Sequence, residues 1–143
     1  MYVEGILIIV AVFATGLLLG AMLFHTFLIT PMVFLKLDPL PALKFIRALL
    51  SLYYMVIAGM ATLAALALVA LQDNILAGTM GFVAVLAAFV HQGLMPRMHS
   101  LHDAVRWGED DARPKFRKLH RLSMAINGVQ MFAVASVLLD LAY

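Results

Sequence analysis

Four polar side chains in the last quarter of the chain share one helical stripe. His120, Ser123, Asn127 and Gln130 follow one another at spacings of three, four and three. At roughly 100° per residue, all four fall within an arc about 80° wide. An imidazole, a hydroxyl and two amides can carry a proton, hydrogen-bond a ligand or orient a ligating group. Four more histidines, His25, His91, His99 and His102, stand elsewhere in the chain. There is no cysteine, so thiolate metal sites, disulfides and thiol redox chemistry are excluded.

The elements that must position these groups are membrane helices. Of the 143 residues, 64% are hydrophobic and 13% charged, whereas a soluble domain keeps roughly a quarter of its residues charged. That leaves too little polar surface for a globule in water, so the expected surroundings are a lipid bilayer. About 20 apolar residues cross a hydrocarbon core of roughly 30 Å. Four such runs are expected as spans, at about 5–29, 49–71, 75–95 and 119–142. The fold class is therefore all-α, a polytopic membrane protein with one four-transmembrane-helix bundle over residues 1–143. The leader Met-Tyr-Val-Glu has no basic residue, which argues against a secretory signal peptide.

Local signals set the ends of the spans. Thr30-Pro31 should close the first, and Gly16 with Gly20 forms a small-xxx-small pair that allows close helix approach. Asp38-Pro39 reads as an N-cap with proline at the first helical position, opening an amphipathic interfacial lead-in to the second span. Tyr53 and Tyr54 suit the headgroup belt there. Gln72-Asp73-Asn74 is a tight hairpin turn. Ala84, Ala87, Ala88 and His91 share a face of the third span, where another helix should pack. Pro96 should end or kink that span, and Trp107 to Pro114 reads as a turn-rich acidic loop with a solvated Gly108–Asp111 tip.

Charge sets the expected orientation. All ten Lys and Arg residues lie in two regions, Lys36 to Arg47 and Arg97 to Arg121. Four spans place both on one side, and the positive-inside rule makes segments 30–48 and 96–118 cytoplasmic. Both termini are then extracytoplasmic, in a bacterial-type inner membrane. Nucleic-acid binding needs a broad basic face; here the basic residues flank spans, so no nucleic-acid partner is expected.

In this topology all five histidines lie at one depth, near the cytoplasmic interface. An unpaired ionisable group in the membrane is costly, which makes each a candidate for function. Three readings compete. In the first, His25 and His91 bond a carbonyl, Thr26 or Gln92, while His99 and His102 are solvated. Ser123 and Asn127 then only glue helices together, in a structural or accessory subunit of a homo-oligomer or membrane complex. In the second, a haem b sits between two imidazoles, His25 with His91 or either with His120. In the third, a metal such as copper binds. Met22 precedes His25, Met124 follows His120, and Met95 and Met98 flank Pro96, a thioether and imidazole mixture that suits Cu(I). The candidate site for either ligand is His25, His91 and His120, oriented by Ser123 and Asn127. A membrane oxidoreductase is the enzymatic alternative and needs a quinone or another electron partner. No paired carboxylates, glycine-rich phosphate loop or oxyanion donors accompany Ser123, and no broken mid-membrane helix marks a transporter.

The stretch Phe116-x-x-Leu119-His120-x-x-Ser123-x-x-x-Asn127 resembles a signature of small four-helix membrane proteins. These are the bacterial family labelled domain of unknown function 4149 and its eukaryotic TMEM-type relatives. The exit from the first span, Phe24 to Thr30-Pro31-Met32-Val33-Phe34-Leu35-x-Leu37, is similar to that family's proline-x-x-phenylalanine element. At Ser51-Leu52-Tyr53-Tyr54 the chain departs from the family's Phe-Pro-x-Tyr type of element. The resemblance implies a four-helix fold and a part for His120, Ser123 and Asn127, without implying a reaction. A more distant similarity to the membrane domain of copper-resistance protein D implies a metal or haem ligand.

Overall fold

The computed structural model describes all 143 residues. Six α-helices and two π-helical turns account for nearly the whole chain. They are α1 (Tyr2–Phe24), a π turn (His25–Ile29), α2 (Thr30–Lys36), α3 (Pro39–Ala70) and α4 (Asn74–Phe89). A second π turn (Val90–Leu94), α5 (Met95–Arg106) and α6 (Ala112–Ala142) follow. Across the π turns the backbone stays helical, so four rods result, of 35, 32, 33 and 31 residues. At 1.5 Å per residue they run about 47–53 Å, well beyond a hydrocarbon core of roughly 30 Å. All four are long and apolar enough to cross a membrane. The fold is an all-α four-helix bundle that fits an integral membrane protein.

The prolines distort their helices without ending them. Pro31 does not close the first helix, and Pro96 does not end the third. A proline inside an α-helix removes one backbone hydrogen bond and clashes with the carbonyl four residues back. Here the turn before each proline widens to the π pattern instead. The Thr30 N–H donates to the His25 carbonyl, and the Met95 N–H donates to the Val90 carbonyl. The Thr30 hydroxyl also donates to the His25 carbonyl at 3.0 Å. Both helices therefore pass their prolines and continue for another turn or more.

Three further expectations take definite form. The amphipathic segment after Asp38 leads into the apolar span without a break, as one helix α3 from Pro39. Pro39 does take the first-turn position, although the Asp38 side chain bonds none of the free N–H groups. The acidic loop is shorter than Trp107 to Pro114, since α6 restarts at Ala112 and Pro114 sits in its first turn, where a missing N–H costs nothing. Gly108 takes a φ of 91° in that loop, a conformation open to glycine. Finally, the Gly16–Gly20 stripe faces outward; a Cβ at either position meets nothing within 4 Å. The face of α1 that packs is Ala11, Ala14, Thr15, Leu18 and Met22.

Alanines stud the core among larger apolar side chains, and small residues let helices approach closely. α3 and α4 form the most extensive helix pairing, and Ala61, Ala64 and Ala67 of α3 share one buried cluster with Ala77, Val83 and Ala87 of α4. α1 packs on α3 and α6, and α5 on α6. The α3–α4 hairpin turns through Gln72, whose φ is 61°. Asp73 then caps α4 by accepting from the Leu76 N–H at 3.1 Å. Losing such a cap costs about 0.5–2 kcal/mol. Asp73→Ala should therefore lower unfolding stability in detergent by that amount, read from denaturant or thermal melts, with the helix content unchanged.

Candidate functional site

At their basic end the four rods line a partly open cavity of ≈ 290 Å³. Its wall takes His25, Thr26, Thr30 and Phe34 from the first rod. It takes Arg47, Leu50, Tyr53 and Tyr54 from α3, with Met98, His99 and His102 from α5. Phe116, His120, Ser123, Met124 and Asn127 come from α6. Apolar side chains form much of the wall, and the polar groups are gathered in a few hydrogen-bonded sets.

The deepest set centres on Asn127. Its Oδ1 accepts from the Tyr53 hydroxyl at 2.8 Å, and its Nδ2 donates to Thr26 Oγ1 at 3.1 Å. A weaker bond runs from Nδ2 to the Met131 sulfur at 3.6 Å. Tyr53 in turn stacks on the His25 ring, with centroids 4.0 Å apart and planes at 25°. Tyr54 packs edge-on against Tyr53 and lies 3.5 Å from Ser123 Oγ. His25 is 8% exposed, Tyr53 7% and Tyr54 2%. The tyrosines thus point into the bundle and not into a lipid-facing belt. They are hidden because each hydroxyl finds its partner on α6, which leaves nothing for the headgroups to satisfy.

A second set guards the rim. Arg47 Nη2 donates to Asp103 Oδ1 at 2.8 Å and to the His99 carbonyl at 3.0 Å, with His102 Nδ1 at 3.5 Å. Arginine only donates, so His102 Nδ1 is the acceptor in that contact. Burial, followed by the Arg47 charge, pushes both His99 and His102 below the ordinary imidazole range. These two histidines stand on a helix, half-buried around a guanidinium, and not in a solvated loop. The Arg47 hydrogen bond holds the Asp103 carboxyl below its usual range. His120 sits at the rim in the open, its ring stacked on Phe116 at 6.0 Å.

Of the five residues singled out by the sequence, four line one cavity: His25, His120, Ser123 and Asn127. His91 does not join them; its Nε2 lies 3.1 Å from Ser51 Oγ. Ser51 and Tyr53 are two residues apart on α3, about 200° around the helix. His91 and His25 therefore address nearly opposite faces of α3, and the three histidines do not gather. No group of three His, Cys, Asp or Glu side chains is placed to hold a metal ion. Gln130, the last member of the stripe, is fully buried and donates to the Val83 carbonyl at 3.0 Å. Its Oε1 has no partner.

Arg47, Thr26 and the two tyrosines were not marked by the histidine pattern. Arg47 and Tyr54 do carry a signal, since a spacing of seven puts them on one face of α3. Thr26 carries none, because its partner is 101 positions away.

Asn127→Leu strands the Tyr53 hydroxyl inside the bundle, which should cost about 1–3 kcal/mol in a detergent unfolding titration. A neutral or stabilising result would reduce the stripe to replaceable packing. Asp103 gives a pH test. Its folded pKa is depressed, so the Arg47 pair adds stability above the unfolded value of about 4 and loses it as pH falls through the folded value. The stability gap between wild type and Asp103→Asn should be level from pH 5 to 7 and close on acidification below about pH 4.

No curated protein and no solved structure matches the chain, so the distant similarity to copper-resistance protein D finds no support. Residues 13–106 match the family described as "Domain of unknown function (DUF4149)". The matched region includes His25, the Thr30-Pro31 exit, both tyrosines and α5, and it stops short of the Phe116–Asn127 stretch. It takes in more than half of the chain, which therefore belongs to the domain of unknown function family DUF4149.

Proposed function

We propose that this protein is a membrane-embedded binding protein whose cavity holds an amphipathic small molecule drawn from the bilayer. His25 carries the reading. It is a buried imidazole on a largely apolar cavity, and no protein side chain hydrogen-bonds its ring. The hydrogen-bonding capacity of that ring is therefore free for the polar head of a ligand in the cavity. The apolar wall around it suits a hydrocarbon tail, in the usual pattern of a pocket with few placed polar groups.

The same reading places the spans at 5–29, 49–71, 75–95 and 119–142 of a single domain. The ten basic residues put segments 30–48 and 96–118 in the cytoplasm and both termini outside it, by the positive-inside rule. The cavity would then open near the inner headgroups of a bacterial-type inner membrane.

A second reading has an observation of its own. His25 and His120 line the same cavity, together with Met98 and Met124. These are the residues that would hold a haem or a Cu(I) ion, without His91. One preparation separates the alternatives: full-length protein purified in mild detergent, studied by native mass spectrometry, visible absorption and metal analysis. The wild type should retain a near-stoichiometric lipid-phase compound, reduced at least tenfold in His25→Leu. A Soret band or stoichiometric copper, lost in His25→Ala and His120→Ala, would replace this reading with the second. A colourless, empty protein would leave a structural subunit.

A further inference from the structure

We infer that the occupant of the cavity is a neutral quinone on an alkyl or isoprenoid tail, with a ring oxygen accepting a hydrogen bond from His25. This rests on the binding function proposed above and narrows it to one chemical class.

Charge is the first argument. The only permanently charged side chain on the cavity wall is Arg47. It is already engaged by Asp103 at 2.8 Å and by the His99 carbonyl at 3.0 Å. A carboxylate or phosphate head would find that cation already offset by a carboxylate, and would bring a second negative charge beside Asp103. The adjacent His99 and His102 are held toward their neutral forms by burial and by Arg47. An uncharged head meets no such repulsion.

Shape is the second. Two stacked ring pairs contribute to the wall from different helices: His25 on Tyr53, and Phe116 on His120. Flat rings favour offset-stacked or edge-on neighbours, so a planar head gains contacts that a glycerol or alcohol head does not. Tyr53 is fixed in this role because its hydroxyl is committed to Asn127.

Hydrogen-bond supply is the third. A quinone offers only acceptors, so its site needs spare donors. The His25 ring has one N–H and no protein partner for it. Tyr54 and Ser123 lie 3.5 Å apart, at the outer limit of a hydrogen bond, and one of their hydroxyl hydrogens can turn to a ligand. Asn127, by contrast, has both Nδ2 hydrogens directed at Thr26 and Met131 and acts as the brace behind them.

The test uses the full chain in nanodiscs of zwitterionic phospholipid, titrated by calorimetry with decylubiquinone, farnesol, decanoate and lysophosphatidylglycerol. Decylubiquinone should bind saturably at one per chain and at least tenfold more tightly than the other three. His25→Leu should weaken it at least tenfold, and His25→Gln, which keeps an N–H donor, should restore part of the loss. A photoreactive azidoquinone should label the wild type within the peptides carrying His25 or Tyr53 and Tyr54, a readout independent of whether a variant folds. Farnesol binding as tightly as decylubiquinone would overturn ring recognition. Decanoate or lysophosphatidylglycerol binding in place of the quinone would overturn this inference and leave the amphiphile reading standing. Binding of none of the four would count against both.

Discussion

The Asn127 amide accepts from Tyr53 on α3 and donates to Thr26 in the first π turn, so three helices meet at one side chain. In hydrocarbon, each of these groups would be expensive to leave alone. Satisfying them together fixes the distance between α1, α3 and α6 at the basic end. The cavity is a by-product of that constraint. Alanines are buried along the α3–α4 seam, while the Asn127 set and its rings line the cavity at the basic end.

This arrangement explains why part of the site could be read from the sequence. A helix repeats regularly, so the spacing of His120, Ser123, Asn127 and Gln130 was enough to define an inward stripe on α6. Ser123 and Gln130 are indeed buried, Asn127 is half-buried and His120 lies at the rim. Hydropathy marked the four rods for the same reason, since length and apolarity are local properties. The tyrosines and Arg47 escaped because their meaning depends on what faces them. A tyrosine near a membrane surface is equally at home in a headgroup belt or on a buried partner, and only the placement of α6 decides between the two. His91 illustrates the opposite error. Its depth matched that of His25, but depth says nothing about azimuth, and α3 stands between the two rings.

The rim set works by a different principle. Arg47 reaches from α3 to α5 and takes a carboxylate and a backbone carbonyl together. This is the chain's single ion pair, and it bridges segments more than 50 residues apart. Because the pair is partly solvated, its worth is modest, but its position is decisive. It sets a carboxylate against the one permanent positive charge on the cavity wall. The neutral character of the interior is thus set by a contact at its edge.

The two π turns bring a geometric consequence for the whole molecule. A π turn is an α-helical turn carrying one surplus residue. Every side chain beyond it is rotated by about 100° relative to an uninterrupted helix. The apolar patterns of α1 and α2, or of α4 and α5, therefore cannot be drawn on one helical wheel. Each rod behaves as two screws of the same thread cut with a phase offset. The lower part can face α3 for tight packing while the upper part presents another azimuth to the cavity. Removing one residue from His25–Ile29 would bring the threads back into phase and turn Val33 away from the cluster it forms with Ala42 and Ile46.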